Sequence, residues 1–532
     1  MTRERVYLFD TTLRDGAQTQ GVDFSVEDKR TIALALDQLG IDYVEGGWPG
    51  ANPTDTAFFA DPPSLSHARF TAFGMTKKAG RSASNDPGLA ALFSTSAPAL
   101  CLVGKSWDFQ VKVALEIPLP ENITNISESI AAVAARGREP LFDAEHLVDG
   151  YKANPDYALS ALKAAHDAGA RWLVLCDTNG GTLPEDSYRI VSEVKSKHPH
   201  FNLGIHAHND TEQAVAVSLA ALRGGARQIQ GTLNGLGERC GNANLCSIAA
   251  NLALKEPYAS QYETGISKEG LTKLTHVSRL LDEILNRAPS KHAAYVGPSA
   301  FAHKGGLHVS AVAKDPRTYE HVPPETVGNR RHILISDQAG RSNIMARLSE
   351  VGISVAPDDK RVARLLEDVK AREFSGYAYD GAEASFELLA RRALGQVPAY
   401  FEVESFRVMV ERRHNALGDL TTVSEAVLKL KVGGETYHNV GTGNGPVNAL
   451  DQALRKDLGR YSSYLQDLRL VDYRVRILTG GTEAVTRVMI ESADAHGARW
   501  STVGLSANIV DASFEALSDS ITYKLYRDGA PA

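Results

Sequence analysis

The sequence predicts an α/β protein: a (β/α)8 TIM barrel over residues 1–260, small linking subdomains over 261–400, and a duplicated α+β domain over 401–532. Three observations predict it. Eight short β-like runs alternate with helix-like stretches in the first 250 residues. The runs are nearly all apolar, as strands buried on both faces are. The last 130 residues carry one strand-and-helix pattern twice.

The strands read in order as VYLFD (6–10), DYVEGG (42–47), RFTAFG (69–74) and ALCLVG (99–104), then LFDAEH (141–146), RWLVLCD (171–177), NLGIHAH (202–208) and ARQIQGTL (226–233). Helical stretches separate them. SVEDKRTIALALDQLG opens on Ser25 as a cap, has an acidic first turn and stops at Gly40. NPDYALSALKAAHDAGA and TEQAVAVSLAALRGGA are two more. Eight such units favour a closed barrel over an open sheet. The linking region holds SAFAHKGGLHVSAVAKD, a Pro-rich turn HVPPETVG and the helical PDDKRVARLLEDVKAREF. Beyond it, AVLKLKV and ETYHNVG precede the helix GPVNALDQALRKDL. The cycle repeats as LVDYRVRIL, AVTRVMIES and RWSTVGLS before NIVDASFEALSDSITYKL. Laid over each other, 440–454 and 503–517 share Val, Gly, Val, Ala, Ala and Leu in register. Such a duplicated module suits symmetric pairing, which predicts a homodimer.

Bulk composition narrows the function classes. A length of 532 residues calls for two or more domains, and 43% hydrophobic with 23% charged residues is ordinary for a globular protein. A net charge of −7, with no dense Lys/Arg cluster, argues against nucleic acid as a partner. The four cysteines (Cys101, Cys176, Cys240 and Cys246) form no CxxC pair and fit free thiols in a reducing cytoplasm. No apolar run approaches the roughly 18 residues of a membrane span, and no apolar signal segment precedes the first strand. The expectation is a soluble, cytoplasmic protein.

The chemistry is expected at the C-terminal ends of the strands. FNLGIHAHND ends an apolar run with His206 and His208 at i and i+2, on one side of a strand. Arg14 and Asp15 follow the first strand, Glu145 and His146 end the fifth, and Asp177 and Thr178 end the sixth. Asn242 follows the eighth, in NGLGERCGNANL. An acid, two imidazoles and an amide oxygen around one mouth make a mixed O/N site for a divalent cation. Glycines in TGNGP stand at a helix N-terminus, where backbone N–H groups suit an anion such as an amino-acid carboxylate. A phosphate loop is the rival reading, but the Walker Lys and Ser/Thr are missing.

LFDTTLRDGAQ, HAHND and GLGERCGN together resemble the family of acyl-CoA Claisen-condensing enzymes with a metal-bearing barrel, which includes the 2-isopropylmalate, homocitrate and citramalate synthases. The resemblance spans the whole chain. VGTGNGPVNALDQAL resembles the family's regulatory domain, while EGGWPGANPTD (45–55) and FDAEHLVDGYKANP (142–155) resemble the branch that uses pyruvate. The resemblance implies Asp15, His206, His208 and Asn242 as ligands of Mn2+ or Mg2+, with Zn2+ possible. It implies Arg14 beside the keto oxygen, Thr178 on the 2-oxo acid carboxylate and Glu145 as the catalytic carboxylate. It also implies His308 and Tyr319 entering the site from the linking region of a partner subunit. Acetyl-CoA is the implied co-substrate, pyruvate the acceptor and isoleucine the effector, on a route to isoleucine. Trp48, just after the second strand, is expected to fill the acceptor pocket.

Three rivals stand beside this reading. A 2-isopropylmalate synthase would take a larger acceptor. A carbon–carbon lyase of the same superfamily would lack the duplicated module and carry its loop cysteine some nine residues before the metal Asn, whereas Cys240 is two residues before Asn242. A non-catalytic amino-acid sensor would have no use for Arg14, Asp15, Glu145 and both histidines on one rim.

Overall fold

The computed structural model describes residues 3–285, 287, 289–333, 341–356, 358–414, 417–456, 458–479 and 484–532. Pro357, the first residue of the run PDDKRVARLLEDVKAREF, lies outside them. The chain divides into two compact units, Met1–Phe301 with Val322–Arg330, and Ala302–His321 with Arg331–Ala532.

The first unit is the barrel that the alternation predicts. Its strands are β1 (Tyr7–Asp10), β2 (Tyr43–Gly47), β3 (Arg69–Met75), β4 (Ala99–Lys105), β5 (Glu139–Glu145), β6 (Trp172–Asp177), β7 (Leu203–Ala207) and β8 (Gln228–Gly231). They pair in parallel in chain order, and β1 closes the ring on β8 from Tyr7↔Gln228 to Asp10↔Gly231. Inside, an aromatic and aliphatic plug holds Phe9, Tyr43, Phe73, Leu141, Trp172 and Val174. Glu45, Asp143, Gln230 and His206 are buried too, with exposures of 5% or less. An apolar lumen at one end and a polar one at the other are what a barrel with its site at the strand C-termini requires.

Local chemistry sets the elements. The helix Val26–Leu39 begins with a full capping box between Ser25 and Asp28 and ends at Gly40, whose φ of 98° only glycine adopts without strain. Asp37 on that helix receives four bonds, from Ser66 N, Ser66 Oγ, His67 N and Ala68 N, at 2.7–2.9 Å. Burial opposes its charge, but these donors hold its carboxyl below the usual range. We therefore expect Asp37→Asn to destabilise the chain by about 2 kcal/mol at neutral pH. A depressed folded pKa gives stability above the unfolded value that is lost as pH falls through the folded one. The penalty should therefore shrink in acid, as wild-type Asp37 protonates. Urea unfolding at pH 7 and pH 3 checks this; an equal penalty at both would contradict it.

In the second unit, the helices Arg341–Glu350, Lys360–Ser375 and Glu383–Ala393 pack on Ile344, Leu348, Leu365, Val369 and Phe386. Two antiparallel three-stranded sheets follow. The first is β9 (Glu402–His414), β10 (Leu420–Val432) and β11 (Glu435–Gly443), then the helix Pro446–Lys456. The second is β12 (Arg469–Ile477), β13 (Thr486–Ala493) and β14 (Arg499–Ser506), then the helix Ile509–Arg527. The duplicated unit is thus βββα. The sequence reading of the first copy lacked β9, whose residues are exposed or half-buried and rich in charge; the alternation of Phe406, Val408 and Val410 was the available signal.

The duplication has a physical cause at one pair of positions. A Cβ on Gly441 would lie 2.5 Å from Ala449 O and 2.4 Å from Ala453 N. One on Gly504, its counterpart, would lie 2.0 Å from Ala512 O and 3.0 Å from Ala516 N. In each copy a glycine of the third strand lets the helix backbone press onto the sheet. This explains why Gly, Ala and Ala are among the shared residues.

Candidate active site

The turn after β1 builds the first side of the site. Asp10 accepts from Thr12 N and Thr12 Oγ1, both at 2.8 Å, which folds the chain sharply back. Arg14 and Asp15 then face inward. Arg14 Nε donates to Glu45 Oε2 at 2.8 Å, NH1 donates to Asp15 Oδ2 at 2.9 Å, and the guanidinium lies 3.9 Å over the Phe73 ring. Burial would favour a neutral Arg14, but Glu45 and Asp15 outweigh it and keep it charged. A buried lysine braces this turn. Lys29 Nζ donates to Leu13 O at 2.7 Å and Gly46 O at 3.0 Å and pairs with Asp55. Asp55 in turn accepts from Trp48 N at 2.7 Å. One ion pair thus ties the loop after β1 to the loop after β2.

The histidines supply the opposite side. His206 is the penultimate residue of β7 and His208 directly follows the strand, with their Nε2 atoms 3.4 Å apart. Asp15 Oδ2 lies 3.5 Å from His206 Nε2, and the three ligand atoms all lie within 4.8 Å of one another. Ligands of one octahedral ion at about 2.1 Å sit about 3 Å apart, so small shifts would close this set on a cation. Asn242 lies against Asp15. Its Nδ2 donates to Asp15 Oδ1 at 3.0 Å, while its buried Oδ1 has no hydrogen-bond partner among the described residues. An orphaned acceptor beside a carboxylate and two imidazoles fits a hard or borderline divalent ion.

The glycine-rich loop makes this placement possible. A Cβ on Gly237, at φ 155°, would meet Asn242 Nδ2 at 2.2 Å, and one on Gly241, at φ 90°, would meet Gly235 O at 2.0 Å. GLGERCGN is therefore a loop wound tightly around Asn242.

Protonation suits ligation. Burial holds His206 down to about 4 and also lowers His208. Burial opposes the charge on Asp15, but Arg14, with the two imidazoles and Asn242, brings it down to about 2. Burial lifts Asp143 to about 7; an oxygen of the neutral acid still accepts a hydrogen bond. Cys176 also lines the cavity, but burial pushes its thiol well above the ordinary value, which leaves it a packing group.

A cavity of about 260 Å³ collects these residues. Arg14, Asp15, His206, His208, Glu145 and Thr178 line it. A second cavity of about 660 Å³, bordered by Lys77, Lys78 and Lys105, shares Trp48, Met75, Lys105 and Glu145 with the first. Glu145 pairs with Lys105 Nζ at 2.6 Å on this shared edge. Thr178 Oγ1 accepts from His146 N at 2.9 Å, which leaves its own proton free to donate. Trp48 stands edge-on to Phe73 at 5.5 Å. The barrel thus gathers Arg14, Asp15, Glu145, Thr178, His206, His208 and Asn242. His308 and Tyr319 belong to the second unit, where their rings stack 4.0 Å apart and both are exposed.

Sequence reasoning missed Glu45, Lys29, Lys105, Asp143 and Gln230. Glu45 and Asp143 are acids inside apolar strands, and Gln228 and Gln230 are glutamines at i and i+2 in β8. Those interruptions were the available signal.

A closed parallel barrel with this cluster at its mouth defines a metal-dependent barrel enzyme. Comparison with known proteins says which kind. The HMGL-like family model matches residues 5–280, a homocitrate synthase post-HMGL domain-like model 295–375, and a LeuA allosteric (dimerisation) domain model 380–525. The chain belongs to the HMGL-like family. It is 51% identical to an (R)-citramalate synthase of Geobacter sulfurreducens over 526 residues, covering 98% of each chain. It is 49% identical to one of Aquifex aeolicus over 529 residues, covering 99% of this chain and 98% of that one. A 2-isopropylmalate synthase of Methanocaldococcus jannaschii is 31% identical, covering 97% of this chain and 94% of that one. Among the described residues, no helix is long and apolar enough to cross a membrane.

Proposed function

We infer that this chain is a citramalate synthase. It joins the acetyl group of acetyl-CoA to the keto carbon of pyruvate, hydrolyses the thioester and releases citramalate and CoA. The adjacent pair of cavities carries the reading: a small one, ringed by charged side chains and sized for a short 2-oxo acid, shares its Glu145 edge with a larger one with room for a thioester arm. Full-length similarity to (R)-citramalate synthases supports the choice of acceptor.

Asp15, His206, His208 and Asn242 would hold a divalent cation, Mn2+ or Mg2+ before Zn2+, whose chemistry when bound is Lewis acidity toward the keto oxygen. Arg14 presents a fixed cation where the alkoxide develops. Thr178 donates its free hydroxyl proton to the pyruvate carboxylate. Glu145, oriented by Lys105, takes the acetyl methyl proton directly or through a water. A carbon–carbon bond then forms to the keto carbon. Water adds to the thioester carbonyl and CoA leaves as the thiol. His308 and Tyr319 reach the site from the linking region of a partner subunit in a homodimer, as the LeuA dimerisation match also favours. Catalysis belongs to residues 1–260 completed by 261–400, and regulation to 401–532. Isoleucine is the proposed effector of the last segment, where the TGNGP loop leads into the helix Pro446–Lys456. The enzyme works in the cytoplasm.

Thiol titration of CoA release tests the function, with Mn2+ or with EDTA and with pyruvate, 2-oxobutyrate, 2-oxoisovalerate or 2-oxoglutarate. Metal-dependent release that favours pyruvate and is inhibited by isoleucine is expected. Preference for 2-oxoisovalerate would make this a 2-isopropylmalate synthase, and no release with any acceptor would overturn the reading. Trp48→Ala should widen the small cavity and narrow the preference for pyruvate over 2-oxobutyrate by about tenfold, the scale of one methylene. An unchanged kcat/KM ratio would remove Trp48 from the specificity pocket.

A further inference from the structure

We propose that Gln230 is a positioning residue for the metal site, fixing which nitrogen of His206 faces Asp15 and His208, and that Asp143 fixes Gln230 in turn. The proposal rests on reading Asp15, His206 and His208 as ligands.

Gln230 is fully buried in β8, beside His206 of β7 in the strand register. Its Oε1 lies 2.9 Å from His206 Nδ1, and its Nε2 donates to Asp143 Oδ1 at 3.0 Å. Asp143 is on β5, which is not a neighbour of β8, so this bond crosses the barrel lumen. The crossbar has a direction. Asp143 Oδ1 is the acceptor of this bond, so the amide turns its NH2 toward Asp143. The amide oxygen then faces His206, and Nδ1 must carry the imidazole proton. Nε2 is left with its lone pair, aimed at Asp15 Oδ2 and His208 Nε2. A ligand histidine needs this setting, because the wrong tautomer presents N–H to the cation. The acceptor on His206 is neutral, so it orients the ring without adding a charge beside the cluster.

The test is Mn2+ binding to the full chain by isothermal titration calorimetry. Gln230→Met keeps the length and bulk but withdraws the acceptor. It should weaken Mn2+ binding about 10- to 100-fold. Gln230→Glu keeps an oxygen on Nδ1 and should stay within about threefold of the parent. KM for acetyl-CoA should differ little between the two variants, and the metal-free Gln230→Met chain should melt no earlier than the metal-free Gln230→Glu chain, whose added carboxyl lies beside Asp143; a packing role would instead make Met the less stable variant. If Gln230→Met does not fold, Gln230→Asn withdraws the same oxygen by one methylene and should show the same loss. Parent-like Mn2+ binding in Gln230→Met or Gln230→Asn would overturn the proposal, as would equal losses in Met and Glu variants. A parent chain that binds no Mn2+ would overturn the ligand reading as well, so the two failures are distinguishable.

Discussion

Arg14→Gln should lower kcat by about a thousandfold in metal-saturated enzyme, the scale of losing a transition-state cation or donor. The other cations lining the small cavity are engaged elsewhere, Lys105 with Glu145 and Arg239 with Asp210. Arg14 is the side chain that bonds both Asp15 and Glu45, and it lies flat on Phe73. The variant also leaves Glu45 buried with Thr11 Oγ1, at 2.5 Å, as its remaining hydrogen-bond donor among the described residues. Breaking a buried pair from one side destabilises by about 3–5 kcal/mol, so the variant should also melt earlier. Arg14→Lys should rescue little, because an ammonium cannot reproduce the planar fork. KM for acetyl-CoA should stay near the parent value, since Arg14 borders the small cavity and not the larger one. Steady-state kinetics with circular dichroism decide it. A kcat within threefold of wild type would remove Arg14 from alkoxide stabilisation.

Lys29→Met should be the most destabilising substitution away from the cavity walls, at about 3–5 kcal/mol. Lys29 is 3% exposed and satisfies two carbonyls and a carboxylate at once. Removing it strands a negative Asp55 in the interior and frees the loops that carry Arg14 and Trp48. Asp55→Asn in the Lys29→Met background should recover about half of the loss, because it removes the stranded charge while an amide oxygen can still accept from Trp48 N. Urea midpoints of the two single variants and the double variant measure the coupling. A loss below about 1 kcal/mol for Lys29→Met would mean that the pair braces nothing.

The barrel was legible because β and helical periods alternate cleanly and the first, fifth, sixth, seventh and eighth strands lead into polar residues. His206 and His208 could be paired from their spacing alone. Asp15 and Asn242 were placed by strand order and by the family resemblance. What escaped were contacts between residues far apart in the chain. Asp143 and Gln230 are 87 positions apart and meet across the lumen, which no local pattern encodes. Glu45 is paired with Arg14, 31 positions earlier in the chain. Lys29 turns inward from its helix to the carbonyl of Leu13, 16 positions away. Most side chains of β9 are exposed, and only Val403, Phe406 and Val408 pack against the core. The chemistry was written at strand ends, and the supports that aim it were written in pairwise geometry.

The glycines at 441 and 504 have a mechanical consequence. A side chain at either position would strike backbone atoms of Ala449 and Ala453, or of Ala512 and Ala516, so any larger residue there would prise the helix off its own sheet. Each βββα copy is thus closed by a helix in direct backbone contact with its third strand. Between the copies the contact is made by side chains instead: Phe406 of β9 stacks on Phe514 at 4.8 Å beside a cavity of about 530 Å³, so substitutions at this seam meet side chains and open space where those at Gly441 and Gly504 meet backbone.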